Sequence, residues 1–135
     1  MLESYQMNKH LATRTLDLAK AACPLNFERR ASHIAFLIKK NRIVHIGLNS
    51  AKSHPITKGH QYKDYQHTGV HAELNVCIKS GKENLNKYKL VVVRINRLNQ
   101  IKYSKPCIGC QGIIHQFNVG EVWYSTDDGI FEQLK

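Results

Sequence analysis

Acidic residues and long apolar runs are both scarce in this sequence. Only 10 Asp and Glu stand against 20 Lys and Arg, so the formal net charge is +10. This excess favours anionic partners, either phosphate-bearing small molecules or nucleic acid. No apolar run reaches the roughly 18 residues of a membrane span, so we expect no membrane partner. Residues 1–20 lack the continuous apolar core of a signal peptide, which predicts a cytoplasmic protein.

Internal repeats, linkers and low-complexity segments are also missing. The chain has 135 residues, 42% of them hydrophobic, which is enough for one core of ordinary size. These features predict a single domain over residues 1–135.

Apolar periodicity predicts alternating helices and strands. Helices are expected at residues 2–22, 70–80 and 107–118. Strands are expected at residues 32–40, 43–49, 88–96 and 121–125, with an extension after residue 97 and a brief last strand in the tail. This order predicts an α/β fold, with one mixed sheet in a three-layer α/β/α sandwich.

A long polar loop is predicted at residues 49–69, joining the hairpin to the second helix. Loops of this length in compact domains are often functional. Its aromatic and imidazole side chains are candidates for a pocket wall, although solvated surface residues are the alternative. They are His54, His60, Tyr62, Tyr65 and His67.

The chemistry-bearing residues occur in two separated motifs, "HAE" at residues 71–73 and "PCIGC" at 106–110. Cys107 and Cys110 share one face of a helix that Pro106 is suited to start. The positive end of the helix dipole lowers thiol pKa values and favours metal binding. With His71 at another helix start, two thiolates and one imidazole make three ligands for Zn²⁺. The fourth tetrahedral position is then left for water, which is the catalytic pattern.

Glu73 lies two residues after His71, so on a helix it points in a different direction and stays out of the ligand set. It can still reach a metal-bound water, accept its proton and return that proton to a substrate nitrogen. A zinc ion lowers the pKa of such a water towards about 7.

Other interpretations of the cysteines leave residues unexplained. A zinc knuckle would use Cys107, Cys110 and His115 but has Gly120 at its fourth ligand position. A redox pair would leave "HAE" without a role. The remaining thiols, Cys23 and Cys77, are expected to be structural.

His-x-Glu followed by Pro-Cys-x-x-Cys is the signature of zinc deaminases. The chain resembles the cytidine/deoxycytidylate deaminase superfamily through "HIAFLIKKNRIVHIGLN", "VHAELNVCIKSG", "KPCIGC" and "VWYS", which occur in family order. The resemblance implies a cytidine deaminase-like fold, a homo-oligomer and a zinc-bound hydroxide that attacks C4 of cytosine.

The same resemblance implies roles for individual positions. Glu73 would be the proton shuttle. Asn49 would hydrogen-bond the sugar, although a turn residue is the alternative there. The backbone N–H of Ala72 would hold the pyrimidine carbonyl, and the backbone around Ser104 and Lys105 would accept from the amino group of the base.

The first motif reads His-Ala-Glu, whereas classical cytidine deaminases usually carry Cys-Ala-Glu. The second reads Lys-Pro-Cys, whereas tRNA adenosine deaminases commonly carry Glu-Pro-Cys. These departures favour the deoxycytidylate-type branch and a free pyrimidine nucleotide, dCMP, as substrate. The alternatives are a cytosine or adenosine deaminase of single-stranded DNA or RNA, motivated by the basic charge, and a non-catalytic zinc-stabilised nucleic-acid-binding module.

Overall fold

The computed structural model describes residues 7–22, 31–49 and 71–135, and within these ranges the chain forms three helices and six strands. The helices are α1 (Lys9–Ala22), α2 (Ala72–Lys79) and α3 (Ile108–Gln116). The strands are β1 (Ala31–Lys39), β2 (Arg42–Leu48), β3 (Lys89–Asn96), β4 (Ile101–Lys102), β5 (Glu121–Ser125) and β6 (Phe131–Gln133). None of the described helices has the length and apolar character needed to cross a membrane.

The strands form one mixed sheet in the order β2-β1-β3-β5-β6, and β4 pairs with the end of β3. β1 is antiparallel to both β2 and β3, whereas β3 and β5 run parallel. The parallel pair is possible because α3 provides the crossover between β3 and β5. The predicted mixed sheet is therefore confirmed.

Both faces of the sheet are buried, because successive side chains of a strand point to opposite sides. α1 covers the face built from Ile34, Phe36, Ile38, Val91, Val93, Ile95 and Trp123. α2 and α3 cover the face built from Ala35, Leu37, Leu90, Val92 and Val122. Each fully buried aliphatic or aromatic side chain contributes about 1.5 to 3 kcal/mol. The predicted three-layer α/β/α sandwich is therefore confirmed.

Two predicted boundaries are wrong within the described residues. The first helix begins at Lys9, because the Oδ1 of Asn8 accepts hydrogen bonds from the backbone N–H groups of His10 (2.9 Å) and Leu11 (3.2 Å) and so caps it. The hairpin turns at Lys40–Asn41 instead of Asn41–Arg42. Both turn residues have positive φ, 52° and 63°, as a tight two-residue hairpin turn requires.

The remaining elements lie within about two residues of their predicted positions. α2 ends just before Gly81, which adopts a φ of 70° that favours glycine. β5 occupies residues 121–125 as predicted, and β6 is the brief last strand of the tail. The two motif-bearing helices pack on each other through Leu74, Cys110 and Ile113, which places both motifs on one face of the sheet.

Candidate metal centre and active site

His71 occupies the position immediately before α2, where the backbone is extended (φ −71°, ψ 157°) and its side chain does not cap its own helix. Cys107 holds the corresponding position before α3, and its Sγ accepts a hydrogen bond from the backbone N–H of Cys110 at 3.5 Å. Because Pro106 precedes this cap, the chain enters α3 with a fixed direction. The two motifs therefore lie at the N-termini of α2 and α3.

The three predicted ligands converge. The Nδ1 of His71 lies 3.1 Å from the Sγ of Cys110 and 3.7 Å from the Sγ of Cys107. All three ligand atoms lie within 4.8 Å of one another. The zinc–nitrogen and zinc–sulfur bond lengths of a tetrahedral site imply ligand separations of about 3.3 to 3.8 Å, so these residues are positioned to hold a metal ion.

Burial is graded across this trio: Cys110 is buried, His71 is half-buried and Cys107 is exposed. A metal ion held here would thus be anchored from the core and would face solvent on one side. Cys77 is fully buried on α2 and lies outside the trio, as expected for a structural thiol. Burial raises its pKa to about 12, so it stays a neutral thiol.

The two thiols of the trio differ in acidity because they hydrogen-bond each other. The contact with Cys110 lowers the pKa of Cys107 to about 3, and the same contact, together with burial, raises the pKa of Cys110. Burial lowers the pKa of His71, but the hydrogen bond with Cys107 and the charge of Glu73 outweigh it and raise that pKa. Cys107 is thus the sulfur that ionises first and attracts a cation.

Glu73 lies in the first turn of α2 with only 4% of its surface exposed. Burial raises the pKa of its carboxyl group, although the positive charge of His71 opposes this shift. The carboxyl group lies beside the trio without belonging to it, because the metal-binding group comprises only the imidazole and the two thiols. A buried acid of raised pKa next to a metal site is the arrangement of a general acid–base catalyst.

The four predicted substrate-contacting residues all lie within the part of the chain that the structure describes. Ala72 is the first residue of α2 and fully buried, and Lys105 is exposed just before Pro106. Asn49 follows β2, where its Oδ1 accepts a hydrogen bond from the backbone N–H of His33 at 3.2 Å. Residues 50–70, which contain the predicted loop histidines and tyrosines, and Cys23 lie outside the described residues.

Ser104 is buried, and its side chain is turned into the sheet. Its Oγ donates to the backbone oxygen of Val92 at 2.8 Å and accepts from the backbone N–H of Ser125, also at 2.8 Å. The hydroxyl therefore anchors the segment before Cys107 to β3 and β5. Because the hydroxyl is used within the sheet, a substrate contact by Ser104 would have to come from its backbone. The backbone is also the group that the family resemblance implicates.

Two residues near the centre escaped the sequence analysis. His33 of β1 lies directly opposite Arg94 of β3 in the sheet register. Burial, with further contributions from the charges of Arg94 and His71, lowers the pKa of His33 to about 4. The Nε of Arg94 is buried and has no hydrogen-bond partner in the structure as described. The sequence signals them only as a polar residue near the start of β1 and a polar residue near the end of β3, both in otherwise apolar strands.

Comparison with protein-family models and with curated proteins gives no match. Solved structures do match. A dCMP deaminase from the cyanophage S-TIM5 has a TM-score of 0.59 at 21% identity, over 92% of this chain and 90% of that one. A cytidine deaminase from Burkholderia pseudomallei has a TM-score of 0.58 at 14% identity, over 96% and 93%.

A guanine deaminase from Bacillus subtilis is similar with a TM-score of 0.52 at 18% identity, over 90% of this chain and 68% of that one. By their names, the three proteins act on dCMP, cytidine and guanine, and at these identities what they have in common with this chain is the fold. The cytidine deaminase-like fold that the family resemblance implies is therefore confirmed.

Proposed function

We propose that this protein is a zinc-dependent deaminase that hydrolyses the amino group of cytosine in a free nucleotide and converts dCMP to dUMP. The observation that carries the proposal is the convergence of His71, Cys107 and Cys110 beside the buried carboxyl group of Glu73. A structural zinc site would need a fourth protein ligand, and the described residues provide three near one another.

The residues fit zinc by their chemistry, because an imidazole and two thiolates are borderline-soft donors that suit it better than Mg²⁺ or Ca²⁺. When bound, zinc would act as a Lewis acid that makes water a nucleophile at neutral pH. One neutral imidazole and two thiolates would balance the charge of the ion. The exposed side of Cys107 is the side from which a base would approach.

Glu73 would move the proton. Its raised pKa brings the carboxyl group nearer to neutral pH, so that it can both accept a proton and give one up during a cycle. It would accept a proton from the attacking water and deliver it to N3 of cytosine, and then take the remaining hydroxyl proton at C4 and pass it to the departing amine, so that ammonia leaves and the C4 carbonyl forms. Because the side chain is buried, this proton would be kept from bulk water.

Backbone groups would orient the base. The first N–H groups of a helix have no partner within the helix, so the N–H of Ala72 is suited to donate to the pyrimidine carbonyl. The backbone of Ser104 and Lys105, which borders Cys107 in the chain, would accept from the amino group. Asn49 would bind the sugar.

The choice of dCMP rests on the His-Ala-Glu form of the first motif, the net charge of +10, and the structural similarity to the cyanophage S-TIM5 dCMP deaminase, whose complex contains dCMP and dUMP. The similarity to that complex has a TM-score of 0.58 at 20% identity. A basic protein favours a phosphorylated substrate over a nucleoside by simple charge attraction.

The test is incubation of the zinc-loaded protein with dCMP, CMP, deoxycytidine, dCTP and guanine. Ammonia release and the loss of cytosine absorbance are followed in parallel. We expect dCMP to be converted with the highest kcat/KM. Turnover of another monomer alone would refute dCMP as the substrate but support the proposed reaction. Absence of ammonia from every monomer would overturn the proposal.

A single strand of DNA or RNA is the second candidate substrate. Tyr103 is 48% exposed two residues before Lys105, and an exposed aromatic ring beside a basic residue is the arrangement that stacks on unpaired bases. Uracil appearing in a cytosine-containing oligonucleotide, with all monomers inert, would favour this candidate. Salt-dependent binding without deamination would instead favour the non-catalytic module.

We further propose that residues 1–135 form one deaminase domain that assembles as a homo-oligomer, as the family resemblance implies. Light scattering coupled to gel filtration measures the assembly. A monomeric mass at concentrations used for the assay would refute the oligomer without affecting the proposed reaction.

A further inference from the structure

Asn75 lies one helical turn after His71, on the helix that carries the metal-binding and acid residues. Its backbone N–H donates to the backbone oxygen of His71 at 3.0 Å. Its side chain reaches across to β2, where the Nδ2 donates to the backbone oxygen of Leu48 at 2.7 Å. Leu48 is the last residue of β2 and directly precedes Asn49. The bond therefore connects the metal-binding helix to the residue next to the proposed sugar contact.

The carbonyl group that Asn75 binds is one that the described strands of the sheet do not use. β2 ends the strand order of the sheet, and the N–H of Asn49 points towards β1, where it donates to the backbone oxygen of His33 at 3.3 Å. In an antiparallel pair the backbone groups of adjacent residues point to opposite sides. The carbonyl of Leu48 thus points to the open edge of the sheet, and the amide of Asn75 satisfies it there.

The side chain of Asn49 is oriented by a hydrogen bond to β1. Because its Oδ1 accepts from the N–H of His33, the nitrogen end of the amide points away from that contact. Asn49 is held between β1 and the strand end that Asn75 fixes.

Helix and strand approach closely at the same place. A Cβ atom on Gly47 would lie 2.8 Å from the backbone nitrogen of Val76 and 3.0 Å from the backbone oxygen of Ala72. The Cβ of Val76 would lie equally near, at 2.9 Å, so α2 packs directly against the backbone of β2 at Gly47 and leaves little room for a change. The hydrogen bond from the helix to Leu48 lies one residue beyond this contact and one residue before Asn49.

We infer that Asn75 is a positioning residue that sets the sugar-binding Asn49 at a fixed distance from the metal centre. The inference rests on the proposed function of Asn49 and adds to it a residue that touches neither metal nor substrate. Loss of the bond would misplace Asn49 and weaken nucleotide binding, while the three metal ligands and Glu73 keep their own contacts.

The chain offers a matched control for this bond. Lys79, one turn further along α2, donates from its Nζ to the backbone oxygen of Ile46 at 3.1 Å, so it also connects α2 to β2, but two residues further from Asn49. An Asn75→Asp variant keeps the shape of the side chain and loses the donor. A Lys79→Met variant keeps most of the apolar stem and loses the remote bond.

The experiment measures zinc content, dCMP kinetics and dUMP binding by calorimetry for Asn75→Asp, Lys79→Met, Asn49→Ala and the double variant Asn75→Asp/Asn49→Ala. We expect Asn75→Asp to keep its zinc and to raise KM and the dUMP Kd about tenfold, the usual effect of one lost hydrogen bond. Lys79→Met should change neither by more than about twofold. The double variant should bind no more weakly than Asn49→Ala, because residues that act as a unit are non-additive.

Additive losses in the double variant, or equal losses in Lys79→Met, would overturn the inference. A readout that needs no turnover separates it from the proposed function: the side-chain amide signal of Asn49 in an NMR spectrum. We expect this signal to shift in Asn75→Asp and not in Lys79→Met, even if dCMP proves not to be the substrate. An unchanged Asn49 signal in Asn75→Asp would refute the positioning role directly.

Discussion

The Nδ1 of His71 lies 3.1 Å from the Sγ of Cys110, although 39 residues separate them in the chain. The contact exists because two helices start side by side over one face of the sheet and pack through Leu74 and Ile113. A half-buried imidazole this near a buried thiol, with a second thiol at 3.7 Å, is a prepared site for a soft metal ion.

Loss of one metal ligand should abolish metal binding. We expect Cys110→Ser to reduce zinc from one ion per chain to near none, and to lower the melting temperature by at least about 5 °C relative to the zinc-loaded protein. Cys77→Ser is the matched control, because Cys77 is also a buried thiol but lies outside the trio. Elemental analysis of reduced protein measures the zinc. Equal zinc in both variants would rule out the proposed site.

Glu73→Gln should separate folding from catalysis. The amide has the shape of the buried carboxyl group but cannot carry the proton, so we expect full zinc content and a decrease in kcat of about a hundredfold to ten-thousandfold. The exposed Glu83 supplies the control substitution Glu83→Gln, which should leave kcat unchanged. Steady-state kinetics with dCMP provides the measurement, and near-wild-type activity of Glu73→Gln would show that another group moves the proton.

Two glycine substitutions should have opposite effects on stability, because Gly47 is closely packed between β2 and α2 whereas Gly112 of α3 has open space beside it. Gly47→Ala should destabilise the protein by about 1 to 3 kcal/mol, because its Cβ would lie 2.8 Å from the backbone nitrogen of Val76. Gly112→Ala should stabilise it by about 0.5 to 1 kcal/mol, because a Cβ in that helix meets nothing within 4 Å. Urea unfolding measures both. A neutral Gly47→Ala would mean that helix and strand separate easily.

His33 should make the stability depend on pH. Its pKa is lowered from 6.5 in the unfolded chain to about 4, first by burial and then by Arg94. Between these values the unfolded state binds more protons than the folded state, so stability rises with pH and is lost as pH falls from about 6.5 towards 4. The loss due to His33 should reach about 2 kcal/mol by pH 5.

The measurement is urea unfolding at pH 7.5 and pH 5.0, with chelator in both, so that acid release of metal does not contribute. His33→Gln should show a smaller difference between the two pH values than the wild type. A substitution of the exposed His10 by Gln is the control and should keep the wild-type difference. An unchanged pH dependence in His33→Gln would mean that other groups cause it.

Much of the architecture could be predicted from local sequence patterns. The apolar run at 34–38 predicts β1 and the run at 90–93 predicts β3, because strands buried on both faces have near-continuous apolar sequences. The positions of the hairpin turn and of the start of α1 do not follow from these patterns. Each depends on one asparagine, Asn41 with its positive φ or Asn8 with its capping side chain, and periodicity does not report such details.

The convergence of His71, Cys107 and Cys110 could also be predicted, because zinc chemistry demands particular donors at particular spacings and the "HAE" and "PCIGC" motifs carry them. His33 and Arg94 could not. A histidine within an apolar strand has no distinctive spacing, and only the register of β1 against β3 shows that it lies opposite Arg94.

The sequence by itself determined the fold class and the chemical character of the centre, since periodicity and donor type act over a few residues. Only the tertiary structure decided which backbone groups meet across distant segments: Asn75 with Leu48, and the Ser104 hydroxyl with Val92 and Ser125. Such contacts depend on strand register and on the approach of helix to sheet, and these are set by the packing of the whole core.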